Sequence, residues 1–427
     1  MEYPRLLVLS NNSFSKSNSN GRTLGSLLQG WPKDKIAQFC ISSDGADFDV
    51  CENYFCVTDG EMLNATKHFK PAIRNGLKQD IEVELKNPID RKKTRKTTLT
   101  MLARNFLWNL GIWRGNEFSQ WTQSFKPQII LLQSGDSYFM HLLALKLSSK
   151  FGAKLAVFNT EGYYFFSHDY FSKDNKFERL FYPFYRYIYN RVFKSFMSKT
   201  VAEVYCNNAL KHDYDLEFRS ERSFVCYTGS EITFRPAGEL SETPTFAYLG
   251  NLGLKRPEAL AEFAEVLSEV APACHIDVYG KLPADYDGIF DRTPGIVYHG
   301  MVSYDKVKEV IGSTDFLLHV EKDDPVLTRE LRYAFSTKIA DSICSGRNFI
   351  VYAPASLACS KYINDTGAAW LASTKTELRQ VLETVLTDRE ARSKVLSRAH
   401  EVAEENHSAA KNSAKFQEIL CSISKDQ

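Results

Sequence analysis

Three groups of residues in this 427-residue chain have types and spacings that could do chemistry. The first is Ser336-Thr337-Lys338-Ile339-Ala340-Asp341, which runs on through Ser342-Ile343-Cys344-Ser345-Gly346-Arg347-Asn348 into an apolar stretch over 349–352. Lys338 and Asp341 are three residues apart and so share one helix face. A cation and a carboxylate placed that way can meet an anion and the hydroxyl groups beside it. The second is Gly250-Asn251-Leu252-Gly253-Leu254-Lys255-Arg256, two glycines followed by two cations where a helix begins. Backbone N–H groups and the helix dipole favour phosphate there, and Lys255 or Arg256 can neutralise it. Tyr279-Gly280-Lys281 and His299-Gly300 offer further places where backbone can approach a ligand closely. The third is Asn159-Thr160-Glu161-Gly162, in which Glu161, with His168 and Asp169 nearby, is the candidate acid, base or acceptor contact.

These residues need elements that deliver them to one edge. In the second half, short apolar runs over 245–249, 275–279, 295–299, 316–319, 349–352 and 368–371 alternate with helical patterns over 256–270, 304–312 and 338–345. That alternation predicts a doubly wound parallel sheet, with the glycine- and lysine-bearing loops all leaving the carboxyl ends of strands. Residues 374–406 and 409–424 read as a helical tail. The first half repeats the theme less regularly, with strands expected over 6–9, 36–41, 54–57, 127–133, 154–158, 201–206 and 224–227. Its opening strand leads into a polar loop ending Asn20-Gly21-Arg22 before a helix, another anion cradle. The expected division is an N-terminal domain over 1–228, a polar connector over 229–244, a second domain over 245–405 and a C-terminal helix over 406–427.

Composition excludes several classes. A formal net charge of +1 argues against bulk nucleic-acid binding. The nine cysteines are scattered and odd in number, which suits reduced thiols rather than a disulfide framework. The start lacks a signal-peptide pattern and no run approaches a membrane span, so a cytoplasmic location is expected. Two stretches could still touch an anionic membrane surface: the basic run over 86–96 with the Trp-bearing helix after it, and the aromatic, basic helix over 177–199.

Taken in order, the motifs resemble the GT-B glycosyltransferases, and within them the retaining family-4-like enzymes of bacterial polysaccharide assembly. Tyr248-Leu249-Gly250-Asn251-Leu252-Gly253-Leu254-Lys255-Arg256 is similar to the family's strand and Gly-Arg-(x)n-Lys-Gly loop, with Asn251 where Arg is usual. Tyr298-His299-Gly300-Met301-Val302-Ser303-Tyr304 is similar to its later strand, glycine and small helix. The Ser336–Arg347 segment is similar to its donor helix, with Asp341 in place of Glu. The resemblance is closest over 245–371. It implies an α/β fold of two Rossmann-like, doubly wound parallel-sheet domains facing each other across a cleft.

It also implies an activity: transfer of a hexosyl group from a nucleotide-diphospho-sugar to a hydroxyl on a glycan or lipid-linked glycan, with retention. Donor-binding residues would be Gly21, Gly250, Asn251, Lys255, Arg256, Gly280, His299, Lys338 and Asp341. Asp341 would accept hydrogen bonds from the ribose, Lys255 and Lys338 would balance the diphosphate, and Glu161 would stand about where the family has a histidine. No cofactor and no metal are implied; Asp47-Phe48-Asp49 fits an Asp-x-Asp pattern but lacks supporting ligands in sequence. The family's first Glu falls on Tyr333, so its contact would have to come from Glu321 or Glu330. A catalytically silent GT-B domain and a nucleotide-sugar 2-epimerase are the competing readings.

Overall fold

A computed structural model describes residues 2–16, 19–42, 45–71, 96–171 and 175–424. Most of the basic run, Arg91, Lys92, Lys93 and Arg95 included, lies outside them. The chain divides into two compact units, Met1–Cys206 with Leu210–Cys226 and Lys411–Gln427, and Asn207–Ala209 with Tyr227–Ala410.

The first unit is built on β1 (Leu6–Asn12), α1 (Ser19–Leu27), β2 (Ile36–Ser42), β3 (Tyr54–Cys56), α2 (Asp59–His68), α3 (Thr98–Leu110) and α4 (Asn116–Phe125). It continues through β4 (Ile129–Gln133), α5 (Tyr138–Phe151), β5 (Lys154–Asn159), α6 (Lys176–Arg179), α7 (Tyr182–Met197), β6 (Thr200–Tyr205), α8 (Asn208–Phe218) and β7 (Ser223–Val225). The strands form one sheet in the order β3-β2-β1-β4-β5-β6-β7, and each pairing is parallel. β1 and β4 are covered on both faces, which is why Leu6–Leu9 and Ile129–Leu132 are unbroken apolar runs. The strand order reverses between β1 and β4, so the crevice for a ligand lies at the carboxyl ends of those two strands.

Between β3 and β4 the alternation gives way to helices that bury aromatic rings. Trp108 and Trp113 are 1% and 2% exposed and pack with Phe39 and Phe118. The tryptophans read as surface anchors are therefore core residues. The long aromatic helix is also broken, with α6 and α7 separated at Leu180-Phe181 ahead of Pro183.

The second unit runs through β8 (Phe246–Leu249), α9 (Arg256–Val270), β9 (Ile276–Tyr279), β10 (Ile296–Gly300), α10 (Tyr304–Ser313), β11 (Phe316–Val320) and α11 (Pro325–Glu330). Then come α12 (Thr337–Cys344), β12 (Asn348–Tyr352), α13 (Ala358–Thr366), β13 (Trp370–Ala372), α14 (Lys375–Thr387) and α15 (Arg389–Val402). Its sheet has the order β10-β9-β8-β11-β12-β13, again parallel at every pairing. Here the order reverses between β8 and β11. Phe246, Phe263, Ile276, Val278, Phe316 and Ile350 belong to the core on the α9 side. The helical tail is interrupted at Asp388, whose side chain caps α15 by accepting from the Ala391 N–H.

The last helix, α16 (Ala409–Ile423), packs on the first unit: Phe416 meets Phe158 edge-on, and Gln417 donates to the Gln29 carbonyl at 2.8 Å. Among the described residues no helix is long and apolar enough to cross a membrane.

Candidate active site

The second unit assembles most of the expected residues at its reversal point. Gly250 follows β8 directly, and a Cβ added to it would lie 2.9 Å from the Lys338 Nζ and 3.0 Å from the Tyr248 hydroxyl. Lys338 thus reaches from the first turn of α12 across the backbone of the β8 loop. Gly280, at φ +156°, packs so closely that a Cβ would run into the Gly250 carbonyl oxygen. The Gly250 N–H donates to Tyr279 O and the Gly280 N–H to Gly300 O, both at 2.8 Å. Three strand-end loops are therefore locked edge to edge, and only glycine allows that spacing.

The loop itself is internally fixed. Asn251 accepts from the Gly253 N–H through its side-chain oxygen at 2.8 Å, and its carbonyl receives the Tyr248 hydroxyl at 2.8 Å. Leu254 and Lys255 follow with φ of +60° and +58°, two successive non-glycine residues in left-handed backbone. Such strain persists only where its surroundings over-determine it, and it concentrates at functional loops. The first-turn N–H groups of α9 are already engaged, Arg256 with Gly253 O and Glu258 with Lys255 O. Charge at this helix start is therefore carried by side chains more than by open backbone donors.

The two cations of the loop have different fates. Lys255 is half exposed and pairs with Asp324 at 2.7 Å; that contact, with N–H donors from Leu327 and Val326, holds the Asp324 carboxyl down at about 2. Arg256 turns inward and forks onto Glu321, with Nη2–Oε1 at 2.6 Å and Nε–Oε2 at 3.1 Å. Arg256 and Glu321 have side chains only 13% and 6% exposed, and His319 sits 3.4 Å from Glu321 Oε1. Burial alone would raise the Glu321 pKa, but His319 and Arg256 outweigh it and hold the carboxyl below its ordinary value. Glu321 is thus the counter-ion of Arg256, with both oxygens in use. Tyr333, where the family's first Glu falls, is buried; its carbonyl accepts from Asn207 at 3.0 Å.

Asp341 lies one turn after Lys338, and its Oδ1 accepts from the Ser230 hydroxyl at 2.6 Å. Ser230 is held in turn, its N–H donating to His407 O at 2.9 Å. His407 is buried between Thr228 O and the Tyr362 hydroxyl, and burial lowers its pKa to about 4. His299 stands apart on the edge strand β10. Its Nε2 is 2.6 Å from Asp277 Oδ1, and its ring stacks on Tyr279 at 4.5 Å.

Gly21 and Glu161 belong to the first unit. Gly21 sits in the first turn of α1, against the Ser13 carbonyl oxygen and the Ser15 Cβ, where no larger residue fits. Glu161 follows β5 and has no hydrogen-bond partner among the described residues; burial pushes its carboxyl up to about 7. Two residues before it, the Asn159 side chain is fully buried and neither amide atom is hydrogen-bonded within the described chain. Asp169 accepts from the Thr98 hydroxyl at 3.0 Å. The carboxylates of Asp47 and Asp49 converge on Lys16, at 3.9 and 2.5 Å.

Glu321, His319, Asp324 and Ser230 carry much of this arrangement, and all but Glu321 escaped the sequence reading. His319 and Glu321 alternate at the end of a strand, which was the one local signal available.

Residues 256–418 match a family described as glycosyl transferase-like. No curated protein matches the chain in sequence. Among solved structures, Anabaena HepE in complex with UDP superposes with a TM-score of 0.63 at 10% identity, over 98% of this chain and 100% of that one. The same protein has also been solved with UDP-glucose. Sucrose-phosphate synthase from Thermosynechococcus elongatus gives 0.61 at 10% identity, over 98% and 99%. The lipopolysaccharide outer core galactosyltransferase WaaB gives 0.59 at 12% identity, over 98% and 99%. The two parallel sheets and these superpositions make the fold GT-B, in agreement with the resemblance read over 245–371.

Proposed function

We propose that this GT-B chain is a glycosyltransferase that moves a hexosyl group from a nucleotide-diphospho-sugar to a hydroxyl acceptor. The observation that carries the reading is Lys338 Nζ held over Gly250 at the strand reversal of the second unit. Agreement with the glycosyl transferase-like family over 256–418 supports it, as does the likeness to a protein solved with UDP and UDP-glucose.

In this reading Lys338 meets the diphosphate as negative charge grows on it during departure. Preorganised positive charge beside a developing anion is the largest single source of rate in such a step. Lys255 adds to it once its contact with Asp324 yields to the ligand. Gly250 and Gly280 let backbone approach, Asn251 and Arg256 fix the loop, and His299 lines the outer strand end. Asp341, oriented by Ser230, accepts from ribose hydroxyls, and Gly21 serves the diphosphate from the first unit. Glu161 handles the acceptor hydroxyl. Transfer proceeds with retention and with lysine charge in the place a metal ion could take, and no cofactor takes part. The acceptor is a glycan or lipid-linked glycan, and the protein works in the cytoplasm at the inner face of a membrane.

Saturation-transfer NMR with UDP, GDP, ADP and CMP tests the donor reading, followed by turnover assays with the matching diphospho-sugars. Binding of a nucleoside diphosphate and transfer are expected. No binding of any diphosphate would sink the proposal. Binding without hydrolysis or transfer would point to a silent domain, and interconversion of the sugar to a 2-epimerase.

A further inference from the structure

We infer that His407 is a positioning residue for the donor site, acting on Asp341 through the chain segment 228–230. The inference rests on the proposed function for what Asp341 does, which is to receive ribose hydroxyls. That His407 places Asp341 is a property of the second unit by itself, to which all of these residues belong.

The polar connector expected between the two domains is laid along α12 instead of hanging free. The Ser230 hydroxyl donates to Asp341 Oδ1 at 2.6 Å, the Arg235 N–H to Ser345 O at 3.2 Å and the Ala237 N–H to Gly346 O at 2.8 Å. Gly346, at φ +76°, makes room for this strap, since a Cβ there would run into Arg235 O. Among the described residues, 228–237 belong to no helix or strand. Fixing irregular chain costs conformational freedom, so the Ser230 end needs an outside holder.

His407 supplies it. It ends a five-residue π turn, Ala403–His407, that continues α15, and such turns recur at functional sites. The imidazole is fully buried, with Nδ1 2.9 Å from Thr228 O and Nε2 2.8 Å from the Tyr362 hydroxyl. A carbonyl only accepts, so Nδ1 carries the proton and Nε2 receives the Tyr362 O–H. The Tyr362 oxygen in turn receives the Asn406 amide at 3.1 Å. Donation thus runs one way, from Asn406 through Tyr362 and His407 to Thr228. The rings of Tyr227, Phe335 and Tyr362 surround the imidazole at centroid distances of 5.6–6.3 Å. A phenylalanine would fill that aromatic surround as well; it could not hold Thr228 O. Backbone secures the next two residues. A Cβ on Gly229 would lie 2.6 Å from the Ala409 Cα, and the Ser230 N–H donates to His407 O at 2.9 Å. The Ser230 hydroxyl that meets Asp341 is therefore placed from the His407 side.

The test compares full-length wild type with His407→Phe, His407→Asn and Ser230→Ala. Asparagine can return an N–H to Thr228 O near the place of Nδ1, and phenylalanine cannot. The first readout is carbon-13 NMR of the Asp341 carboxyl, assigned through Asp341→Asn. His407→Phe should move that signal as Ser230→Ala does, and His407→Asn should bring it back. The second is the affinity ratio of UDP, GDP and ADP to their 2′,3′-dideoxy counterparts. Wild type should prefer the ribose form by about tenfold or more, the worth of a hydrogen bond to a carboxylate. Ser230→Ala and His407→Phe should each reduce the preference to about threefold or less, and combining them should reduce it no further. Where His407→Phe does not fold, Tyr362→Phe, which deletes one hydroxyl, should move the same carboxyl signal in the same direction. An Asp341 signal and a ribose preference unchanged in the variants that fold would overturn the inference. Equal weakening of ribose and dideoxy forms would also overturn it, because that is the mark of general loss of packing. Movement of the Asp341 signal without binding of any diphosphate would uphold the positioning role and refute the donor reading instead.

Discussion

The carboxyl edges of the two sheets are furnished in opposite ways. In the second unit most charged groups at that edge already have a partner: Lys255 has Asp324, Arg256 has Glu321 with His319 beside it, Asp341 has Ser230 and His299 has Asp277. In the first unit Glu161 and the buried Asn159 amide have none among the described residues, and neither does the Gln133 Nε2 at the end of β4. Partnered charges hold a geometry before any ligand arrives, and that is what a rigid donor grip needs. Buried polar groups without partners cost stability and are kept where something outside the chain completes them. Under the proposed function, the partnered edge is the donor side and the unpartnered edge of the first unit is the side completed by an acceptor's hydrogen bonds.

The sharpest way to break this comparison is to remove a partner from the second unit. Glu321→Ala leaves the Arg256 guanidinium buried without its counter-ion. That should destabilise the unit by about 3–5 kcal/mol, the cost of stranding half of a buried pair. The wild-type pair also has a pH signature. Glu321 has a lowered folded pKa, so its contribution is present above the unfolded carboxylate pKa and is lost as pH falls through the folded value. Chemical denaturation at neutral and acid pH measures both. A variant as stable as the wild type would show that the Arg256–Glu321 fork is incidental.

Lys338→Ala should act on binding instead. Loss of a hydrogen bond to a charged group predicts about 1.5–3 kcal/mol weaker nucleoside diphosphate affinity. Folding stability should change little, because Lys338 is only partly buried. Calorimetric titration with the diphosphate found by NMR would show it, and unchanged affinity would move the donor site away from Gly250.

How much of this could be read beforehand follows from sequence separation. The sheets were legible because β1, β4 and β12 are buried on both faces and so announce themselves as apolar runs over 6–9, 129–132 and 349–352. Gly250, Gly280 and Lys338 were legible because each sits a fixed step past a strand or into a helix. The pairings that sort the cations were not. Arg256 and Glu321 are 65 residues apart, Lys255 and Asp324 are 69, and Ser230 and Asp341 are 111. No local period connects such residues; only the order of strands in the sheet brings them together. Trp108 and Trp113 looked like surface anchors because the helix over 98–110 carries apolar residues on its exposed side as well as its buried one, and its sequence does not say which side is inside.

The first unit offers the matching test. Glu161 is pushed from an ordinary 4.5 to about 7 by burial, so its neutral form is favoured in the folded chain. Whatever stability this gives is fully present below pH 4.5 and is lost as pH rises through about 7. Glu161→Gln, which stays neutral throughout, should therefore gain on the wild type by about 2–3 kcal/mol across that window. If Glu161 also takes the proton of the acceptor, transfer by the wild type should rise with pH through about 7, and the Gln variant should lose that rise. Parallel denaturation curves at every pH would show that Glu161 is hydrated like any surface carboxylate, and would erase the contrast between the two edges.

The smallest effect is expected at Lys255, and it separates the two loop cations most finely. Its ammonium is exposed and already engaged by Asp324. A diphosphate that recruits Lys255 must first displace that carboxylate, so the gain is the difference between two solvent-screened contacts. Lys255→Ala should then weaken diphosphate binding by no more than about fivefold, with the loss shrinking at high salt. Asp324→Asn should do the reverse, strengthening binding slightly by releasing Lys255 while still capping α11 through its side-chain oxygen. Equal and large losses in Lys255→Ala and Lys338→Ala would mean that the Asp324 contact breaks before the donor binds. Both lysines would then close on the diphosphate together, and the second unit would be less fixed in advance than its ion pairs suggest.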